Sequence, residues 1–567
     1  MGRPEKIRLG DLLIAQKIIS QEQLGLALDT QKKSGRRLGR VLIEQGFASE
    51  EQICEGISRQ LNIPYVNLKF YSFNDQVVRR LPEAQARRFR AVVLEDRKTT
   101  CLVGMADPTD LFAFDEIARL LKRDIEAAVV SEAMLLQNID RIYRRTDQIS
   151  GLAKELERDL GDTYIDFGAL GAGVGAEEAP VVKLLQSVFE DAVQVNASDV
   201  HIEPMETRLQ IRFRIDGALM PQTQSDLKIA PALALRLKLM AGLDISEKRM
   251  PQDGRLMVSV RDEKIDVRMS TMPCQYGETV VLRLLNRRAT VQSLDKLGIP
   301  EDIRGRFTEI IRRSAGMVLV TGPTGSGKTT TLYAALAELN TPDRKIITVE
   351  DPVEYRLAGI TQVQVNEKIE LTFARVLRST LRQDPDVILI GEIRDEETAQ
   401  IGLRAALTGH LVFSTLHTKD AASTPLRLID MGVPSYMVAT SIHAVIAQRL
   451  VRLICESCSV EVAPDAEEAG WLEAVTGAEP RAGGYRRGKG CSQCNGLGYA
   501  GRIGVYEMLE MTSELVRAAN HADPNAFLEK AATQLRGRTL TDRALALVAA
   551  GRTTVAEAIR VAVQLED

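Results

Sequence analysis

The sequence predicts a multidomain α/β chain, and three observations carry that prediction: a phosphate-binding loop between an apolar strand and a helix, a duplicated helical segment at the start, and four cysteines in two C-x-x-C pairs. A length of 567 residues suggests three to five units at ~100–200 residues per domain. We divide it into a tandem helical repeat (1–60), a small α/β module (61–146), a flexible linker (147–180), a second α/β domain (181–290), a nucleotide-binding core (291–450), a cysteine-bearing insertion (451–510) and a helical region (511–567).

Lysine and arginine number 73 against 77 acidic residues, a net charge of −4 that provides no global field for a nucleic-acid polymer or an anionic membrane. No apolar run reaches the ~18–20 residues that span a bilayer, and Met1 to Ile19 mixes charges with apolar residues, unlike a signal peptide. A cytoplasmic location is expected, where paired C-x-x-C spacing favours metal over disulfides.

The repeat aligns Arg8–Gln31 with Arg37–Gln60, each opening Arg-Leu-Gly and closing with Gln. Ser20/Gln23 and Ser49/Gln52 have capping-box spacing, so each copy predicts helix, turn, helix. Leu24 and Leu28, and Ile53 and Ile57, fall at i and i+4 on one helical face. Beyond the repeat, Ala91–Leu94 and Cys101–Gly104 are strand-like, with no legible ligand. The stretch 147–180 contains GALGAGVGAEEAP and predicts a tether that mechanically decouples the two halves. Strand-like runs at Leu209–Ile215, Lys264–Met269 and Thr279–Leu285, with a helix near Leu233–Met240, form the second α/β domain.

The strongest motif is Gly322-Pro323-Thr324-Gly325-Ser326-Gly327-Lys328-Thr329, followed by Thr330, after the strand Met317–Val320 and before a helix reaching Leu339. Glycines let backbone N–H groups cradle the phosphates of ATP, Lys328 supplies charge, and the Thr329 hydroxyl suits Mg²⁺. The strand Val387–Ile390 leads to Glu392, a candidate for the Mg²⁺ shell. Another strand, Ile346–Val349, ends at Glu350, a candidate to orient or deprotonate the attacking water, although acids at strand ends are often only solvated.

These motifs closely resemble the secretion ATPases of type II secretion and type IV pilus assembly, often called the GspE and PilB family. The boxes are the P-loop, an aspartate box (Thr348–Tyr355), a Walker B element (Asp384–Asp395) and a histidine box (Thr408–Thr418), with ASDVHIEP, RFRIDG and PQDGR in the preceding domain. The resemblance implies a RecA-like core after a PAS-like domain, a homo-hexamer with ATP between the two, and arginines matching Arg268 and Arg283 that reach the phosphates. Without it, both would read as exposed strand residues. It also implies that His410 and His417 sense the γ-phosphate side. Bare, they read as core histidines. The implied load is an inner-membrane platform protein, with the motor peripheral at the inner face of that membrane.

Cys455, Cys458, Cys491 and Cys494 supply four thiolates for a closed, structural Zn²⁺ site, and Gly488, Gly490, Gly496 and Gly498 suit its turns. Cys54, Cys101 and Cys274 are expected to be buried apolar residues.

The helical repeats alone could be a docking element. They are similar to the cyclic di-GMP-binding domain of mannose-sensitive haemagglutinin (MSHA) pilus assembly ATPases. That likeness implicates Arg8, Leu9, Gly10, Leu24, Leu28 and Gln31, with Arg37, Leu38, Gly39, Ile53, Ile57 and Gln60. Lys17 stands where the second copy has Gly46, and a left-handed turn there would strain the first copy by ~1–2 kcal/mol. The resulting expectation is an ATP-hydrolysing motor for an MSHA-like type IV pilus under cyclic di-GMP control. The alternatives are a general type II secretion motor, a non-hydrolysing dinucleotide sensor and a DNA pump, the last disfavoured by the acidic balance.

Overall fold

The computed structural model describes residues 9–34, 38–71, 73–97, 99–143, 146–160, 180–260, 263–285, 292–481, 483–521 and 523–566. Arg8 and Arg37, both expected to meet a ligand, lie outside the described residues.

The repeat forms helices α1 (Leu9–Ala15), α2 (Gln21–Ser34), α3 (Leu38–Glu44) and α4 (Glu50–Leu61). Ser49 and Gln52 close the expected capping box, and Ser20 and Gln23 exchange the same pair of hydrogen bonds. The turn after α1 takes φ 58° at Lys17, and its counterpart takes φ 70° at Gly46, so the first copy does carry a side chain in the left-handed region. The next module has a three-stranded sheet: β1 (Ala91–Asp96) runs antiparallel to β2 (Thr100–Met105), which is parallel to β3 (Asp124–Val129).

The stretch 147–180, expected to be a tether, is helical over Thr146–Leu160. Ile149, Ala153 and Leu156 repeat at helical spacing and are buried in the core of the second α/β domain, where the Ser150 and Thr223 hydroxyls hydrogen-bond at 3.0 Å. Residues 161–179 lie outside the described residues.

The domain after it is a six-stranded antiparallel sheet: β4 (Asp199–Pro204), β5 (Arg208–Ile215), β6 (Ala218–Asp226), β7 (Gln252–Val260), β8 (Glu263–Cys274) and β9 (Gly277–Leu285), in the order β6-β5-β4-β9-β8-β7. The helix Pro180–Gln194 covers it with Leu184, Val188 and Phe189. Cys54 and Cys101 are buried as expected, whereas Cys274, opposite Gly277 at the β8–β9 turn, is exposed.

The core is a seven-stranded sheet ordered β12-β11-β13-β14-β10-β15-β18. Its strands are β10 (Gly316–Thr321), β11 (Ile346–Glu350), β12 (Thr361–Gln364), β13 (Val387–Ile390), β14 (Leu411–Leu416), β15 (Ile442–Ile454) and β18 (Tyr499–Glu510), with β16 (Ser459–Val462) and β17 (Tyr485–Gly488) forming a separate ribbon. All pairs in the large sheet are parallel except β15–β18. The central strands β10, β13 and β14 are buried at every residue, the continuous apolar pattern of a sheet covered on both faces. The insertion is narrower than 451–510, because β15 and β18 stay paired from Ala444↔Glu510 out to Ile454↔Tyr499. Four helices between Ser513 and Glu566 then pack on the sheet through residues such as Leu515, Phe527, Leu540 and Val561. Among the described residues no helix is long and apolar enough to cross a membrane.

Candidate active site and ligand sites

The P-loop, Glu350, Glu392 and His417 all sit at or just past the carboxyl ends of parallel strands, the edge where open α/β sheets bind ligands. The loop needs its glycines. Gly322, Gly325 and Gly327 have φ of 143°, 79° and 87°, and a Cβ on Gly322 would lie 2.4 Å from the Gln448 carbonyl oxygen. Lys328 opens the helix Lys328–Leu339, with Thr329 and Thr330 in its first turn. Its Nζ donates to the Gly322 and Pro323 carbonyls at 2.7 and 3.0 Å. Burial pushes the ammonium down to about 8, opposed by Glu392 and reinforced by Arg449. Thr321 Oγ1, Ser326 Oγ and Arg449 Nε are buried without a protein partner. Together with the lysine, that set of donors suits a polyphosphate.

Glu392 pairs with Arg394, and its other oxygen lies 3.5 Å from His417 Nε2. Arg394 also lies 3.6 Å from Asp351. Glu350 differs. It is 3% exposed, and its oxygens accept hydrogen bonds from Tyr333, Thr348 and Gln362. That carboxylate is held at the end of β11 by three side-chain donors. The two histidines part company as well. His410 precedes β14, on the order of 20 Å along the strand from His417 at ~3.3 Å per residue, and its Nδ1 is 3.0 Å from the Ala405 carbonyl. His417 thus stands beside Glu392, and His410 stands at the opposite end of β14.

Antiparallel register aligns Arg255 with Arg268, Arg268 with Arg283, and Arg283 with Asp199. These four side chains line a cleft of about 450 Å³ closed by Asp351, Pro352 and Gln364 of the core. Arg268 reaches the Val353 carbonyl at 3.5 Å and Glu354 at 3.7 Å, and burial lowers its pKa. Arg283 donates to Asp199 at 3.0 Å. Arg268 thus reaches the aspartate box, while Arg283, its side chain 58% exposed, pairs with Asp199 on the same cleft. Sequence reading missed Arg255, Gln448 and Arg449, because only cross-strand register and the approach of β15 bring them to the site.

The four cysteine sulfurs lie within 4.8 Å of one another, and three of the pairs are 3.8 Å apart. Tetrahedral ligation at ~2.3 Å per Zn–S bond requires sulfur separations of ~3.8 Å, so the donor set fits. Burial pushes Cys455 up and Cys458 up to about 12. Burial acts the same way on Cys494, but hydrogen bonds from the Cys491 and Gly498 backbone N–H groups bring it below the usual thiol range. Glycine is required where the knuckles cross, since a Cβ on Gly488 would lie 2.0 Å from the Gly498 carbonyl oxygen.

In the N-terminal region a cavity of about 1020 Å³ lies between the repeat and the α/β module. Leu9, Leu38, Gly39, Ile53, Ile57 and Gln60 line it as expected, whereas Gly10, Leu24, Leu28 and Gln31 are not part of its wall. Gly10 and Leu24 instead pack on each other: an added Cβ at Gly10 would be 2.7 Å from Leu24 Cδ1, matching Gly39 and Ile53 Cγ2 at 2.9 Å. Leu28 is exposed. The far wall comes from the module, including Arg90, Asp107, Thr109 and Glu132, with Arg90 paired to Glu132 at 2.6 Å. Reading the repeat in isolation could not supply these residues.

Residues 175–560 match the family model described as Type II/IV secretion system protein, and residues 61–149 match the MshEN domain. The chain is 40% identical to the type IV pilus assembly ATPase PilB of Myxococcus xanthus, over 97% of this chain and 98% of that protein. It is 38% identical to type II secretion system protein E of Xanthomonas campestris pv. campestris, over 99% of each. The solved structure of the ATPase DotB of Legionella pneumophila aligns with a TM-score of 0.50 and 24% identity, over 67% of this chain and 95% of that one, a likeness of fold alone. The phosphate cradle at the sheet edge and the match across residues 175–560 lead to one conclusion: this chain is an ATP-hydrolysing member of the type II/IV secretion system protein family.

Proposed function

We propose that this ATPase works as a homo-hexameric, cytoplasmic motor at the inner face of the inner membrane, driving assembly of an MSHA-like type IV pilus through a platform protein under cyclic di-GMP control. The observation that carries the catalytic reading is the gathering of Lys328, Glu392 and His417 at one sheet edge, with Arg268 and Arg283 facing Asp351 across a cleft. Lys328 and the P-loop amides bind the ATP phosphates. Thr329 and Glu392 would hold Mg²⁺, which neutralises phosphate charge. Glu392 also orients the attacking water and accepts its proton as the bond to the γ-phosphorus forms and the β–γ bridge breaks, giving ADP and phosphate. Glu350 positions the end of β11 beside Gly391, where a Cβ would lie 3.2 Å from the Glu350 Cα. Arg268 and Arg283 stabilise transferred charge, His417 responds to it through Glu392, and His410 supports the start of β14.

Regulation is carried by the cavity of about 1020 Å³ between the repeat and the MshEN-matching module, large enough for a dinucleotide and lined by Leu9, Leu38, Ile53 and Ile57 and by Arg90. The four cysteines hold a structural Zn²⁺. Titration calorimetry of the full chain with cyclic di-GMP tests the regulatory half: saturable binding that Ile53→Asp abolishes supports it, and absence of binding removes it. A second reading, a type II secretion motor, rests on the Xanthomonas relative, which is covered as fully as the pilus assembly relative. Deleting the gene and scoring piliation against exoprotein export separates the two.

A further inference from the structure

The residues between the cysteine ligands face the N-terminal module. Gln493 Nε2 donates to Asn138 Oδ1 at 2.8 Å and to the Leu68 carbonyl at 3.3 Å. The Ser457 hydroxyl donates to the Lys69 carbonyl, and Glu456 pairs with the Lys69 ammonium. The ion pair is exposed and contributes little. Asn138 is different, being 1% exposed, with its amide Nδ2 donating to the Met134 carbonyl at 2.7 Å. Its carbonyl oxygen receives a donor from a loop 355 positions away in sequence. A buried acceptor served from another domain specifies that interface, because no residue of its own helix can replace the lost bond without moving.

We propose that the cysteine insertion is an intramolecular latch: Glu456, Ser457 and Gln493, presented by the two metal-closed knuckles, form a docking surface whose partner is the chain's own module at residues 61–143. Both knuckles depend on one metal centre, so both halves of the grip are held by a single ligation event. The insertion leaves the core directly from β15, the strand that places Gln448 and Arg449 against the P-loop. On the other side, the helix Glu132–Ile142 contributes Glu132, Ala133 and Leu136 to the N-terminal cavity and Asn138 to the latch. One helix therefore touches both the candidate ligand cavity and the docking surface. The latch does not depend on which ligand the cavity takes.

Hydrogen–deuterium exchange on the full-length, metal-replete protein tests the latch. Gln493→Glu keeps the shape but sets an acceptor against the Leu68 and Asn138 acceptors. It should accelerate exchange across residues 66–71 at least tenfold, with metal content by elemental analysis unchanged and strand 91–96 still slow. Lys69→Glu, which changes no sulfur ligand, should act in the same direction through repulsion from Glu456, and Lys69→Glu combined with Glu456→Lys should restore protection. Unchanged exchange at 66–71 in both single variants would overturn the latch. So would acceleration that spreads equally through 91–96, which would make the contact part of the module's own folding.

Discussion

Lys328 illustrates how much of a site one motif determines and where burial takes over. Its identity and role follow from the P-loop pattern, but its ammonium is held down to about 8 by burial, a property of the folded site. Nucleotide binding needs the charged form, and the free protein loses that form as pH rises through 8. Affinity for a non-hydrolysable ATP analogue should therefore weaken about tenfold from pH 7 to pH 9, as the protonated fraction falls to ~0.1. Lys328→Arg should flatten that dependence in the same titration. Glu350 shows the opposite case. The aspartate box predicts a carboxylate there, yet its hydrogen-bond partners Tyr333 and Gln362 arrive from a helix and from β12, so its commitment to the interior is invisible in the local sequence. Tyr333→Phe removes a buried donor from Glu350 and should destabilise the core by ~1–3 kcal/mol, read as a lower denaturant midpoint at an unchanged slope.

At the scale of elements, periodicity and capping chemistry were good guides. The repeat helices, the strands at 209–215 and 317–320 and the helix after the P-loop all stand where apolar spacing placed them. The helix Thr146–Leu160 was masked by its neighbourhood: Gly151 interrupts it and a glycine-rich run follows, so its stripe of Ile149, Ala153 and Leu156 passed as linker. The Arg-Leu-Gly glycines are explained by packing. Gly39→Val would drive a branched side chain into Ile53 and should cost ~1–3 kcal/mol by overpacking, visible as a lower melting temperature of the N-terminal unit with basal ATP hydrolysis retained. The convergence of the four cysteines was legible because paired C-x-x-C spacing limits the options. Their second surface, toward Leu68 and Asn138, could not be read from spacing.

Over the whole molecule, the glycine-rich stretch predicts mechanically decoupled halves. A connecting segment's composition says nothing of contacts made elsewhere, and here the N-terminal module touches the cysteine insertion directly. Sequence, sheet topology and family agree on the phosphate-binding loop and the acidic strand ends around it, whereas the part given to each carboxylate rests on the proposed geometry. The proposal to test is that Glu392, beside Lys328 and His417, is the carboxylate that activates hydrolysis. The most direct measurement is steady-state phosphate release by Glu392→Gln, with analogue affinity measured on the same preparation. The account predicts turnover reduced at least 100-fold with affinity changed less than about threefold, since the amide preserves shape and loses the anion. Turnover within tenfold of the parent protein, or a collapse of affinity with turnover per bound nucleotide intact, would contradict it.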